Sequence, residues 1–543
     1  MLAILMKWVN HHFVDLVRQM RLSYLPPLLV YTAAGISGLT GIVGTFFVKD
    51  YLGLSAEFLA TLGFWAGLPW ALKMPLGHLV DLFWRWKSVL VFIGAGLIGA
   101  SLVIMCGLIG ATPAMVQTMP VEAWFVLAAL LAPVGYVIQD VVADAMTVEA
   151  VPTVDEQGHP YDEHTTRLMH TTMQTLGRIA IVGGGIAVAI LNIMMFSGVG
   201  DLPEAMQRDV YTRIYKLALV IPVISVIGVA LAELLKRNRV RKLRHLGRTK
   251  QAIAREATPN WWILGGSLVF VVFSLVMGLS RVPYNQEIVF AGSMAIVLFL
   301  MAKLVKELPP TARRTLVRTA IVIFVFRALP GPGAGATWWQ IDELGFDQQF
   351  ISVLSLISGA LALFGMVLFR RFMAERSITF VVGFLTIIGA VLSLPIIGMY
   401  YGLHEWTAGL TSGIVDARFI AVVDTALESP LGQVAMIPML AWIANSAPTQ
   451  LKATFFAVMA SFTNLALSLS NLGTKYLNQF FTVTREITDP MTGGVTLPAD
   501  YSELGTLLIT ITCIGLMLPL LTILATRHQT RQTVRQRLTL SRH

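Results

Sequence analysis

The chain has 543 residues, of which 55% are hydrophobic and 13% are charged; its mean hydropathy is +0.70 and its formal net charge is +9. In a soluble globular protein about a quarter of the residues are charged. The low charged fraction of this chain therefore excludes that class of protein. The apolar residues form blocks of about twenty, the length of a helix that crosses a ~30 Å hydrocarbon layer. Strand-like alternation is absent, which disfavours a β-barrel. We therefore predict an all-α integral membrane protein.

The apolar blocks predict about fourteen spans, in two sets of six separated by a further pair. The predicted segments, in chain order, are a cytoplasmic lead (1–23), an N-terminal six-helix half (24–235), a basic cytoplasmic loop (236–259), an inserted two-helix hairpin (260–306), a C-terminal six-helix half (307–526) and a basic cytoplasmic tail (527–543).

The distribution of Lys and Arg predicts the topology. With the N-terminus inside, 29 of the 40 Lys and Arg residues fall in cytoplasmic segments and five fall outside. This is the positive-inside bias of membrane proteins. We predict a multi-pass protein of the cell (inner or plasma) membrane with both termini cytoplasmic. The basic loop is interpreted as a segment solvated near anionic lipid, not as a nucleic-acid-binding arm.

The two predicted halves carry similar motifs at similar positions. Gly77-His-Leu-Val-Asp81, followed by Arg85, closes the second span, and Gly365 followed by Arg370 closes a span at the same place in the later half. Parallel repeats of six helices describe the major facilitator fold, which we predict here. Gly77, Asp81 and Arg85 are interpreted as a gating motif, a charge lock between helix ends that biases inward against outward states.

Several ionisable residues fall inside the apolar blocks. A charge at the bilayer centre costs about 3 kcal/mol on insertion scales, so each is a functional candidate by default. They are Lys73, Asp140, Asp144, Arg178, Arg327, Asp424, Glu428 and Lys475, with Asp416 and Arg418 near a span end.

Four of these residues form two acidic pairs. Asp140 and Asp144 are four residues apart, as are Asp424 and Glu428, so each pair lies on one helix face. Two carboxylates one turn apart repel when both are ionised, so one of them holds its proton more tightly. This arrangement suits proton coupling or substrate binding.

The cations Lys73 and Arg178 have two open interpretations. They could neutralise the buried acids as structural pairs, or one of them could contact an anionic substrate.

An enzymatic alternative rests on the spacing Asp140-Val-Val-Ala-Asp144, which could hold a magnesium diphosphate as in an intramembrane prenyltransferase. Such sites need a second acidic cluster beside the first. Here the second pair lies a whole half away, so we predict no enzyme and no catalytic residue. The histidines lack ligand-like spacing and Cys106 and Cys513 fall inside apolar blocks, so no metal and no cofactor is predicted.

Motifs along the chain resemble the folate–biopterin transporter family of the major facilitator superfamily. They are FVKDYLGLS (47–55), LPWALKMPLG with its following aspartate (68–81), DVVADA with Glu149 (140–149), LGF (344–346) and the P…AT…S…N pattern (448–464). The resemblance covers most of residues 24–526 except the predicted hairpin. One departure is Lys452, where the family has an acid before Ala-Thr.

The resemblance implies a twelve-helix core that moves pteridines such as folate, coupled to protons, with Lys73, Asp140, Asp144 and Arg178 as site residues. Our prediction is a monomeric secondary active transporter of a small organic anion, working by alternating access, whose partners are its solute, protons and the bilayer. The alternatives are transport of another organic solute, such as a peptidoglycan fragment, and a non-transporting lipid scramblase or assembly partner. Fold alone does not choose between them.

Overall fold

The structure is a computed structural model. The residues it describes are 20–52, 54–71, 73, 76, 80, 86–152, 161–200, 202–245, 261–280, 282–306, 309–369, 372–373, 376–432, 434, 436, 439, 452–488 and 495–540. They form two compact units: the first draws on residues 1–43 and 75–261, the second on 44–74 and 262–543. The boundaries of the two six-helix halves stay a prediction.

The first unit is built from long helices. They are α1 (Leu25–Ile36), the first residues of α2 (Gly41–Tyr51), α4 (Lys87–Gly110), α5 (Thr112–Val116), α6 (Val121–Ala150), α7 (Glu163–Met195), α8 (Glu204–Ala218) and α9 (Val220–His245), with 3₁₀ turns at Leu22–Tyr24 and Ser37–Thr40. α1 packs against α6, α7 and α9, and α4 packs along α6. This places α1 at the centre of the unit.

The second unit holds the remainder of α2 and the other helices. They are α3 (Ala56–Ala71), α10 (Trp261–Leu279), α11 (Asn285–Val305), α12 (Pro310–Arg327), α13 (Ala334–Asp342), α14 (Gln348–Leu368), α15 (Ile378–Leu392), α16 (Leu394–Tyr400), α17 (Leu403–Leu410), α18 (Ala417–Glu428), α19 (Lys452–Phe480) and α20 (Leu504–Leu540), with a 3₁₀ turn at Ser429–Leu431. A short antiparallel pair, β1 (Ile487–Thr488) and β2 (Val495–Leu497), precedes α20. The sequence analysis predicted no strands, so this pair is a small addition to an otherwise helical chain.

Nine helical stretches within the described residues are long and apolar enough to cross a membrane. Large apolar side chains on them face outward, among them Met194 with 72% of its surface exposed and Leu524 with 60%. Such a surface is stable only where lipid covers it. The prediction of an all-α, multi-pass membrane protein is thereby confirmed.

The crossing of α1 and α7 depends on glycine. A Cβ added to Gly35 would lie 2.3 Å from the carbonyl oxygen of Ile181, and one added to Gly184 would lie 2.9 Å from the Gly35 backbone. Only residues without a side chain permit this approach, as is common where membrane helices pack. The glycine density of these two spans therefore sets the distance between α1 and α7.

The chain is unwound between α12 and α13, where the sequence had predicted one span over 315–338. Residues 328–333 read ALPGPG, and Gly333 has φ +77°, which favours glycine. Successive turns of α19 bind the freed backbone: Ser470 Oγ donates to the Leu329 carbonyl at 2.6 Å, and the Gly331 N–H donates to Thr474 Oγ1 at 2.9 Å. These hydrogen bonds let a non-helical segment persist inside a membrane protein.

Candidate functional site

The first unit brings Asp144 of α6 to a tyrosine of α1. The Tyr31 hydroxyl donates to Asp144 Oδ1 at 2.7 Å. Tyr31 is 5% exposed, whereas Asp144 is half-buried. Asp140, one turn earlier on α6, and Arg178 of α7 also interact electrostatically with this hydroxyl. Three of the predicted site residues therefore surround one tyrosine.

The ring of Tyr31 packs against a glycine of α7. A Cβ at Gly177 would lie 2.8 Å from Cε2 of Tyr31, so the ring rests on bare backbone one residue before Arg178. Sequence reasoning missed Tyr31. The available signal was a tyrosine within an apolar span, because a buried phenol hydroxyl needs a hydrogen-bond partner.

This first-unit cluster of Tyr31, Asp140, Asp144 and Arg178 has an unequal charge count. Two carboxylates and one guanidinium leave one net negative charge when all are ionised. Binding of one proton, or of one cation, makes the cluster neutral. A group of this kind inside a low-dielectric helix bundle can exchange protons in step with another event.

The second predicted acid pair lies on α18 in the second unit. Asp416 starts this helix by accepting a hydrogen bond from the Phe419 N–H at 2.8 Å, which is an N-cap rather than a transport role. Asp424 is half-buried, and its Oδ1 is buried without a hydrogen-bond partner among the described residues. Glu428, the last residue of α18, is exposed. The two acids therefore have different surroundings despite their shared helix.

The remaining predicted site residues divide between the described and undescribed parts of the chain. Lys73 belongs to the second unit and is half-buried, and its side chain makes at least one polar, ring or electrostatic interaction. Asp140, Asp144 and Arg178 belong to the first. The gating-motif residues Gly77, Asp81 and Arg85 lie outside the described residues.

Lys475 of α19 has both a carboxylate and an amide partner. Its Nζ donates to Glu287 Oε1 at 3.2 Å and to Gln286 Oε1 at 3.1 Å, both in the first turn of α11. The Tyr476 hydroxyl donates to the same Glu287 oxygen at 2.5 Å. Gln286 in turn donates to the Thr61 carbonyl of α3 at 3.2 Å. These contacts tie α11 into the unit, so Lys475 has a structural role.

A second structural ion pair joins α2 to α13. Lys49 Nζ lies 2.6 Å from Asp342 Oδ1, and the Tyr501 hydroxyl donates to Asp342 Oδ2 at 2.5 Å. Arg418 likewise pairs with Asp347, 3.1 Å away.

Arg327, the last residue of α12, is held differently. Its Nε donates to the Thr463 carbonyl at 3.1 Å, and its Nη1 lies 3.6 Å from Met436 Sδ. Neither partner carries a charge. No carboxylate in the described part of the chain pairs with this half-buried guanidinium.

No group of three or more His, Cys, Asp or Glu side chains that could hold a metal ion occurs among the described residues. Cys106 and Cys513 are free thiols.

The comparisons with known proteins agree with this architecture. The chain overlays on a nucleoside transporter, NupG, with a TM-score of 0.54, 13% identity and coverage of 93% of this chain and all of that one. It overlays on a POT family transporter in complex with 5-aminolevulinic acid with a TM-score of 0.58, 10% identity and coverage of 93% and 95%. At these identities the likeness establishes the fold alone.

Ionisable groups inside a bundle of apolar helices are typical of multi-pass membrane transporters. The model of the BT1 family matches residues 34–539, and the chain belongs to that family. A folate-biopterin transporter of Synechocystis sp. (strain ATCC 27184 / PCC 6803 / Kazusa) is 28% identical over 158 residues, which are 29% of this chain and 31% of that relative. The proteins that the chain resembles are transporters, which confirms the family resemblance and the prediction that it is not an enzyme.

Proposed function

We propose that this protein is a secondary active transporter of a small organic anion, with folate or another pteridine as the first candidate, and that it couples transport to protons by alternating access. The observation that carries the proposal is the Tyr31–Asp144 hydrogen bond, with Asp140 and Arg178 around it, inside a helical membrane unit. Retaining ionisable groups at membrane depth is costly, and transport is the usual reason for it.

The substrate class is supported by family membership and by the likeness to the folate-biopterin transporter of Synechocystis. That relative aligns over less than a third of its length, so the solute remains part of the proposal. A folate carries a flat ring and a dicarboxylate tail. Cationic side chains at membrane depth suit such an anion.

Proton coupling is supported by the charge count of the first-unit cluster. A proton on either aspartate removes its net negative charge and weakens the demand for a counter-charge. Solute binding and proton binding at such a site affect each other, because each changes the field in which the other binds.

The finer architecture is also part of the proposal. It comprises about fourteen spans, two six-helix halves of the major facilitator type and an inserted pair over 260–306, in a monomer of the cell membrane with both termini inside. The distribution of Lys and Arg supports this orientation. In this proposal the inserted pair consists of α10 and α11.

The test is uptake of radiolabelled folate into proteoliposomes, with and without a proton gradient directed inward. Wild-type protein should concentrate folate only with the gradient. Asp144→Asn should lower gradient-driven uptake by about tenfold or more, since a tenfold change corresponds to only about 1.4 kcal/mol. Lys73→Ala should also reduce uptake.

The matched control is Glu122→Gln, an acid-to-amide change at an exposed position in the first turn of α6. It should leave uptake unchanged. Equal, gradient-independent uptake in wild type and Asp144→Asn would remove the coupling proposal. Absence of pteridine uptake by folded wild-type protein would contradict the proposed substrate class. It would favour another solute or a non-transporting role.

A further inference from the structure

Arg327 is the last residue of α12 in the second unit and follows an apolar run over residues 320–326. α12 begins at Pro310, with Arg313, Arg314 and Arg318 near its exposed start. Nine residues of helix separate Arg318 from Arg327, a rise of about 14 Å, or close to half of a ~30 Å hydrocarbon layer. If α12 spans the layer as the proposed architecture has it, the guanidinium lies near the middle of that layer.

The local chain offers this cation no anion. A guanidinium has five N–H donors, and within the described residues Arg327 contacts one carbonyl oxygen and one thioether sulfur. The sequence from Ser429 to Arg485, which includes the segment before α19 and α19 itself, contains neither Asp nor Glu. Carbonyls at the end of α12 contribute a partial negative charge, which lowers the cost without supplying a full counter-charge.

Lys475 provides an internal reference for this observation. It is a cation of the same unit, with 15% of its side chain exposed, and it has both a carboxylate and an amide oxygen within 3.2 Å. Where this unit keeps a cation for structure, it provides an acid. Arg327 has the burial of such a residue without the acid.

The surroundings of Arg327 also favour an organic ligand. Phe324, one turn earlier on α12, packs against Phe462 of α19 with ring centroids 4.9 Å apart, and Phe462 directly precedes Thr463. Apolar walls beside a guanidinium exclude water and strengthen its attraction for an anion. The planar fork of a guanidinium matches a carboxylate through two parallel hydrogen bonds.

We infer that Arg327 binds a carboxylate group of the transported solute, which supplies a counter-charge that Arg327 does not receive from the described residues of the second unit. The inference rests on the proposed function and deepens it, because it requires the solute to carry a carboxylate. At Arg327 this carboxylate contributes more to binding than the uncharged portion of the solute. The sequence marks Arg327 only as one of several ionisable candidates, because its lack of a paired carboxylate among the described residues is visible only in the folded chain.

Two measurements on purified full-length protein test the inference. The first compares binding of folate, which has a carboxylate tail, with binding of biopterin, which has none. Arg327→Gln should weaken folate binding by about tenfold or more and change biopterin binding by less than about twofold, the difference expected when a charge-assisted bidentate contact is lost. Arg327→Lys should lose less, because it keeps the charge without the fork.

The second measurement needs no solute. An unpaired buried cation destabilises the ligand-free protein, so Arg327→Met should leave its melting temperature unchanged or raise it. Lys475→Met, the matched control, should lower the melting temperature because it strands Glu287.

The outcomes separate the inference from the proposed function. A lower melting temperature for Arg327→Met would assign the residue to structure and overturn the inference, as would equal weakening of folate and biopterin binding by Arg327→Gln. If wild-type protein binds neither pteridine, the proposed substrate fails, and the melting temperatures still decide whether Arg327 is structural.

Discussion

The two units treat their buried charges in opposite ways. In the first, Asp144 accepts a hydrogen bond from Tyr31 and shares its surroundings with Asp140 and Arg178, so each charge has a polar neighbour. In the second, Arg327 has only neutral partners. A cluster whose charges have polar neighbours suits proton exchange, which changes its net charge without rearranging it. A group that lacks a counter-charge suits a ligand that brings one.

The second unit also contains its own contrast, since Lys475 is paired where Arg327 is not. Burial alone therefore does not distinguish a functional charge from a structural one in this protein. The identity of the partner does, because a buried cation is tolerated when an acid neutralises it and is destabilising when none does.

The largest effect that would sharpen this contrast is expected at the Lys475–Glu287 pair. Glu287→Gln should lower the free energy of unfolding by about 2 kcal/mol, because it strands a buried cation. The double variant Glu287→Gln/Lys475→Gln should recover part of that loss, as a double-mutant cycle of thermal unfolding would measure. If the losses in the free energy of unfolding from the two single variants simply add in the double variant, the two side chains are not coupled. Lys475 would then no longer serve as the paired cation with which Arg327 is compared.

The next effect concerns the acids of α18, which differ in burial. Asp424→Asn should reduce the initial rate of uptake by about tenfold, or about 1.4 kcal/mol, because the buried Oδ1 lacks a protein partner and is available to a proton or solute. Glu428→Gln, four residues away and exposed, should change uptake by less than about twofold. Equal effects would place both acids at the site or neither.

The smallest effect is expected at Tyr31. Tyr31→Phe removes one hydrogen bond, whose net contribution is about 1 kcal/mol, and keeps the ring that rests on Gly177. Uptake should fall about fivefold, and its dependence on external pH should shift. A rate and a pH profile identical to wild type would show that Asp144 works without this donor, and would break the contrast between a satisfied and an open unit.

Much of the candidate site could be predicted from the sequence, because charges inside apolar blocks stand out. Asp140 and Asp144 were selected in this way, and the structure places them in one helix beside Arg178. Tyr31 could not be selected, since a tyrosine in an apolar span is ordinary until a carboxylate is found opposite it. Lys475 and Arg327 were equivalent in the sequence, because the acid that separates them lies 188 positions away from Lys475.

The sequence by itself determined that this chain is a helical, multi-pass membrane protein and which ionisable residues interrupt its apolar blocks, because lipid requires apolar stretches about twenty residues long. Only the tertiary structure decided which of those charges are neutralised. It also revealed the unwound segment before α13, whose backbone groups depend on hydroxyl side chains of α19. Pairing is a matter of distance between helices remote in the chain, and no local pattern encodes it.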